Sequence, residues 1–123
     1  MKSIEDLQVI NQGSVDSMKA LRDEIDRQLG DPNLDLSDEA RLTARRVTLT
    51  SQINNQELVQ AHLRAARITV EFTAQQEADL DQLNARIDRA ILSGLRANAL
   101  LELASKAVTA AQGISDSVLT HTG

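Results

Sequence analysis

The nearest approach to a metal site in this sequence is the alternating set of oxygen-bearing side chains at Asp31, Asn33 and Asp35. Such residues at the first, third and fifth positions begin the calcium-binding loop of an EF-hand. That loop also needs a glycine at its sixth position and a glutamate at its twelfth, where this chain has Leu36 and Leu42. Aspartate and asparagine are also the residues that turns favour, so we interpret the segment as a turn and predict no metal site.

Other groups that could perform chemistry are few and scattered. The two histidines, His62 and His121, have no cysteine to complete a zinc site, because the chain contains none. The sequence also has no glycine-rich phosphate loop, nucleophile motif or dinucleotide fingerprint. Its acidic residues lie in runs of mixed charge, which are typical of solvated helix faces. We therefore predict that the protein is not an enzyme and has no catalytic residues, no metal and no cofactor.

Composition and charge narrow the class of protein further. Of the 123 residues, 41% are hydrophobic and 25% are charged, which favours one folded domain over a disordered or membrane-spanning chain. The net charge of −5 repels a phosphate backbone, and Phe72 is the single aromatic residue that could stack on a base. We expect one acidic helical domain over residues 1–123 that does not bind nucleic acid.

The distribution of apolar residues argues against a membrane protein. The richest apolar stretch, residues 90–111, contains Arg96, Glu102 and Lys106, which a bilayer core would not accommodate. The first residues turn acidic at once and contain no apolar signal segment. We expect no membrane span and a cytoplasmic location, and secretion without a cleaved signal remains compatible with the sequence.

Apolar residues recur at helical spacing through most of the chain and predict an all-α fold. We expect three long helices in an antiparallel bundle-like or coiled-coil arrangement, at roughly 3–29, 37–72 and 74–111. A turn at 30–37 separates the first two, since Gly30 can end a helix and Pro32 cannot continue one. The remaining residues, 113–123, are expected to form a flexible tail, which Ile114 could instead dock on the bundle.

The first helix has a polar middle at Asn11, Gly13 and Ser14 that allows two interpretations. A single buried asparagine fixes the register of some coiled coils. A glycine in a helix instead favours a kink or a break between two shorter helices.

The middle of the chain is also open to two interpretations. Residues 68–73 alternate like a strand, but no second strand-like segment is available to pair with them. Thr73 and Gln76 have the spacing of a capping box, so we predict a helix break near residues 70–75. The alternative is one uninterrupted helix over residues 38–92, which only an oligomer could cover. In the second helix the apolar stripe shifts face near residues 54–56, continuing through Leu58, Ala61 and Ala65.

The third predicted helix carries the clearest association signal. Its apolar residues alternate at spacings of three and four, and the small ones would let another helix approach closely. Further leucines between residues 90 and 104 widen this apolar face beyond what one neighbouring helix would cover. We predict that a protein-interaction seam is formed by Leu83, Ile87, Ala90, Gly94, Ala97 and Leu101.

One concentration of basic residues lies along the second predicted helix. It consists of Arg41, Arg45, Arg46, Arg64 and Arg67. Because Asp38 and Glu39 lie next to it in sequence, we favour pairing within the chain or between subunits over binding of an acidic partner.

Residues 15–72 resemble the helical hairpin of type III secretion needle and rod subunits. The resemblance is carried by a helix, the Asp31-Pro32-Asn33 turn and a returning helix. It covers under half of the chain, which continues to residue 123, and we assign no family from it.

These features favour a non-enzymatic structural or assembly subunit that self-associates through a coiled-coil-like seam. A homo-oligomer, a dimer or larger, is then the expected partner state. The alternative is a small acidic helical binding module, such as a chaperone, regulator or inhibitor of a larger protein machine, for which the partner is another protein. An apolar face buried in a homo-oligomer would favour the first function, and one left exposed would favour the second.

Overall fold

A computed structural model describes residues 3–120 of the chain. Within that range the protein is an all-helical bundle with four helices and two short strands. The elements are α1 (Ile4–Leu29), α2 (Leu36–Arg64), β1 (Ile68–Val70), α3 (Ala74–Ser93), α4 (Ala97–Asp116) and β2 (Val118–Thr120). The all-α prediction is confirmed, and the prediction of three principal helices is wrong by one. No helix within residues 3–120 is long and apolar enough to cross a bilayer.

Helices α1 and α2 form an antiparallel hairpin whose ends are set by local capping. The hydroxyl of Ser3 accepts a hydrogen bond from the amide of Asp6 at the start of α1, and Gly30 ends the helix. In the turn, the carboxylate of Asp31 accepts a hydrogen bond from the amide of Asn33 at 2.9 Å. The carboxylate of Asp35 caps α2 in the same way. The acidic side chains of this segment therefore stabilise a turn and a helix start.

The predicted break in the middle of the chain is confirmed, but α2 ends at Arg64 and not near residue 72. Ala66 has a φ of 54°, and the chain then enters β1. The expectation that residues 68–73 would find no strand partner is wrong, because β1 pairs antiparallel with β2 from the end of the chain. The capping box is present. The side chains of Thr73 and Gln76 each accept a hydrogen bond from the backbone amide of the other residue.

The predicted third helix, 74–111, is two helices. Gly94 ends α3 with a φ of +85°, a left-handed conformation that residues with a Cβ rarely adopt. The connection is held by Gln28 of α1, whose amide donates a 2.7 Å hydrogen bond to the carbonyl of Leu95. Helix α4 then runs to Asp116, so residues 113–120 of the expected tail belong to α4, its cap and β2. Residues 121–123 lie outside the described residues.

The apolar core has two parts. The main core cluster joins all four helices and includes Met18, Leu21, Leu49, Ile87 and Leu100. The second core cluster lies beneath the two strands and is formed by Leu7, Leu63, Ile68, Val70, Leu80 and Ile114. Partly buried side chains, among them Phe72, extend the second cluster.

A buried polar layer lies between the two clusters along α1 and α2. Asn11 donates 2.9 Å hydrogen bonds to the Gln56 carbonyl and the Gln60 side chain, and accepts one from the Gln56 side chain. The Gln56 side-chain oxygen accepts hydrogen bonds from Gln52 and Ser115. Among the described residues, no buried side-chain nitrogen or oxygen lacks a partner.

This polar layer decides between the two interpretations of the α1 middle. Helix α1 is continuous through Gly13, so the interpretation of a break between two shorter helices is wrong. Asn11 is 1% exposed and contacts α2 of its own chain, so it fixes how the two helices of the hairpin align. A one-turn slip of α1 along α2 would leave these amides without partners in an apolar environment.

Candidate interaction surfaces

Five of the six residues predicted to form the association seam pack on the core of their own chain. Ile87 is fully buried in the main core cluster, and four seam residues are partly buried against it: Leu83, Ala90, Ala97 and Leu101. Gly94 is exposed in the connection between α3 and α4. The continuous seam along one helix is therefore wrong, because Gly94 interrupts it. Association of a second chain through these residues stays a prediction.

A shallow apolar cleft opens between α3 and α4, beside the loop that precedes α3. It has a volume of about 190 Å³ and includes Leu83 of the predicted seam. Its lining residues are Phe72, Gln76, Asp79, Leu80, Leu83, Ala110, Gly113 and Ile114. Small-molecule pockets usually measure about 300–1,000 Å³. The cleft is therefore better suited to one or two side chains of a protein partner than to a small ligand.

The solvent-facing side of α2 has an unusual composition for the exposed side of a helix. Its central strip, which we call the outer face of α2, consists of Leu36, Ala40, Thr43, Val47, Ser51, Asn54, Leu58, Ala61 and Ala65. All nine residues are exposed, and Leu36, Val47 and Leu58 have 81%, 65% and 59% of their surface accessible. None is charged, although the outward side of a surface helix normally carries most of its charges.

Part of this strip is the stretch in which the apolar stripe shifts face in sequence. Leu58, Ala61 and Ala65 continue the apolar stripe in sequence, yet the structure exposes them. The buried side of α2 continues through Gln56, Gln60 and Leu63. Because the two glutamines join the buried polar layer, this part of the buried side carries polar residues, while Leu58, Ala61 and Ala65 on the exposed side are apolar.

The charged residues of α2 lie to the sides of the outer face. Arg46 forms a 2.5 Å ion pair with Asp26 of α1, and Glu57 forms a 3.0 Å ion pair with Lys19. Arg41 pairs with Asp38 and donates a hydrogen bond to Asn98 at 3.1 Å. For Arg41 and Arg46 the predicted pairing within the chain is confirmed.

Three charged residues of α2 have no ion pair or side-chain hydrogen bond within residues 3–120: Arg45, which is half-buried, and Glu39 and Arg64, which are both exposed. Glu39 and Arg64 lie near opposite ends of the helix, about 25 residues or 38 Å apart, so they cannot pair with each other within one chain.

Groups with a shifted pKa take part in ion pairs within one helix or between neighbouring helices. A hydrogen bond from Arg27 holds the pKa of Glu24 below its ordinary value, against the opposing effect of burial. A hydrogen bond from Lys106 lowers the pKa of Glu102, and Arg86 across the α3–α4 pair lowers it further. None of these residues lines the cleft.

The residues considered for metal binding are kept apart by the fold. His62 is half-buried on α2, whereas Asp31 and Asp35 lie in the turn before that helix, and His121 lies outside the described residues. Within residues 3–120, no three histidine, aspartate or glutamate side chains come together as a metal-binding group.

No family model, curated protein or solved structure matches this chain. Function is therefore inferred from its own surfaces. Sequence reasoning did not select the outer face of α2, although a signal was present: from residue 36 to residue 65, positions at spacings of three and four carry no charge. That pattern marks a second apolar strip on a helix that already has a buried side.

Proposed function

We propose that this protein is a non-enzymatic helical assembly subunit that acts by associating with copies of itself. The single observation that carries the proposal is the uncharged outer face of α2, which remains exposed after one chain has buried its core. A 29-residue helix is about 44 Å long, so the strip is long enough for another helix to pack along it.

The composition of the outer face supports helix packing over exposure to solvent. Three large apolar residues are spaced at eleven-residue intervals, close to three helical turns, with alanine, serine and threonine between them. Small residues let helix axes approach to about 8 Å, at the close end of the usual range. A leucine or valine from the neighbouring helix can then pack between them.

A matched pair of substitutions tests the proposal. Leu58→Lys places a charge in the outer face, and Leu92→Lys places the same charge on an exposed leucine of α3. Both leucines lie in the second half of their helix, where lysine is well tolerated. By light scattering behind size exclusion, we expect Leu58→Lys to abolish the oligomer and Leu92→Lys to retain it. A wild-type chain that is monomeric at every concentration would contradict the proposal, as would an oligomer that survives Leu58→Lys.

The cleft between α3 and α4 favours a second candidate function, that of a binding module for another protein. Its apolar lining is open, and Asp79 and Gln76 supply polar groups beside it. If this function is correct, Gly113→Leu should fill the cleft and abolish capture of that partner without unfolding the chain. Among the described residues, apart from the two adjacent residues and the local helix backbone, no atom lies within 4 Å of a Cβ at Gly113. Retained capture by this variant would exclude the cleft as the binding site.

A further inference from the structure

Four charged residues follow one edge of the outer face of α2 in alternating sign. They are Glu39, Arg46, Glu57 and Arg64. Their separations of seven, eleven and seven residues are close to two, three and two helical turns, so all four lie on the same side of the helix. This is the side that faces α1, since Arg46 and Glu57 pair with Asp26 and Lys19 of that helix.

Two copies of this edge that run in opposite directions place opposite charges against each other. Along α2 the edge reads negative, positive, negative, positive. When two antiparallel helices pack together, edges of the same type meet. Glu39 of one copy then lies opposite Arg64 of the other, and Arg46 lies opposite Glu57. Glu39 and Arg64, whose side chains have no partner within residues 3–120 of one chain, would both acquire one.

The apolar strip is compatible with almost the same alignment. An antiparallel pair centred between residues 50 and 51 places Ala40 against Ala61, Thr43 against Leu58 and Val47 against Asn54. In that alignment the Glu39 and Arg64 positions differ by about 3 Å along the axis, a distance that these long side chains can span. In a parallel pair this edge would instead meet the opposite edge of the outer face, which consists of Arg41, Thr48, Asn55 and His62. That opposite edge has no acidic residue.

We propose that two copies of this chain pack antiparallel along the outer face of α2, with Glu39 of each opposite Arg64 of the other. The inference rests on the proposed function and specifies its surface and geometry. A strip about 44 Å long and 10 Å wide buries about 900 Å² over both copies. This is below the roughly 1,200–2,000 Å² that stable specific interfaces bury and is typical of a weak, reversible interface, so we expect a dissociation constant in the micromolar range.

Single cysteines test the geometry, because the natural chain contains no cysteine. Antiparallel packing brings the two copies of Ser51→Cys together at the symmetry axis, so this variant should form a disulfide dimer under mild oxidation. Two copies of Ala40→Cys should not cross-link, because their positions lie about 31 Å apart, far beyond disulfide reach. A mixture of Ala40→Cys and Ala61→Cys should give the mixed dimer. Leu92→Cys is the exposed control for random collision.

Charge exchange provides a second test. Glu39→Arg should raise the dissociation constant about tenfold, because each dimer loses two attractive pairs and gains two repulsive ones. The double variant Glu39→Arg with Arg64→Glu should restore the wild-type value, because both ends of the edge are exchanged. Asp88→Arg on α3 makes the same change of charge away from this edge and should leave the dissociation constant unchanged.

The possible outcomes separate this inference from the proposed function. Cross-linking at Ser51 and in the mixed pair, with restoration by the double variant, supports the antiparallel dimer. Self-cross-linking of Ala40→Cys, or a wild-type dimer that none of these cysteines traps, overturns the geometry and leaves self-association in place. A wild-type chain that is monomeric throughout the concentration range overturns both.

Discussion

Replacing Asn11 with alanine is expected to destabilise the protein far more than replacing an exposed polar residue of the same helix. The substitution removes two 2.9 Å hydrogen bonds that Asn11 donates and one of 3.0 Å that it accepts. It leaves the side-chain nitrogen of Gln56 and the side-chain oxygen of Gln60 without their partner in the buried layer. Each orphaned buried group costs about 1–3 kcal/mol. Gln60 is 7% exposed and can recover some hydration, so we expect a total loss of about 2–4 kcal/mol.

Urea denaturation followed by far-ultraviolet circular dichroism measures this loss, since the chain has no tryptophan or tyrosine for fluorescence. The matched control is Gln12→Ala, which removes an exposed 2.9 Å hydrogen bond to Asp16 from the same helix. Its effect should stay within about 0.5 kcal/mol. A loss below about 1 kcal/mol for Asn11→Ala would refute the assignment of a tightly satisfied polar layer.

A double variant extends this test. Gln56→Leu alone removes the partners of Asn11, Gln52 and Ser115. Combined with Asn11→Ala, it should cost less than the sum of the two single losses, by about 0.5–3 kcal/mol, because each substitution orphans atoms that the other removes. Additive losses would show that the two residues act independently.

Three further predictions concern backbone and charge, each measured by chemical denaturation. Gly94→Ala and Gly94→Leu should each cost about 1–3 kcal/mol, and equally, because the cost comes from the φ of +85° and no atom lies within 4 Å of an added Cβ. A much larger loss for leucine would instead indicate close packing. Gly113→Ala should stabilise the protein by up to about 1 kcal/mol, since alanine favours the helix and meets open space, and a loss of stability would contradict this. Glu24→Gln should lower stability at neutral pH by about 1 kcal/mol. The pKa of Glu24 is lowered from 4.5 by Arg27, so its contribution is complete above pH 4.5 and is lost as the pH falls through the folded-state pKa. The difference between Glu24→Gln and wild type should shrink on acidification, and a constant difference would contradict the assignment.

The parts of the fold that depend on local chemistry were predictable from sequence. Ser3, Asp35 and Thr73 each begin a helix through a side-chain cap, and Gly30 ends one. These signals act over three or four residues, so the sequence alone contains them. The helical bundle and its first hairpin follow from such signals and from apolar periodicity.

The errors arose where distant parts of the chain meet. Residues 68–70 form a strand because Val118–Thr120 returns beside them, and no local pattern reveals that pairing. Gly94 is compatible with a close-packed seam because it is small, and with a helix end because glycine readily adopts a positive φ. Leu92, counted in the wide apolar face, is 88% exposed because α3 ends one residue later.

The candidate surface was obscured by the buried amides of α2. Apolar residues are normally assigned to the core, and here Gln56 and Gln60 occupy core positions while Leu58 lies outside. Only the partners of those glutamines, Asn11 and Ser115, show why the helix faces this way. The exposed strip becomes visible once the buried polar layer is known.

The most direct test of self-association is the mass of the wild-type chain by sedimentation equilibrium over a hundredfold range of concentration. We predict a reversible change from the 13.4 kDa monomer to a dimer of twice that mass, with a midpoint in the micromolar range. A single mass of 13.4 kDa at every concentration would contradict the proposal that this chain is an assembly subunit.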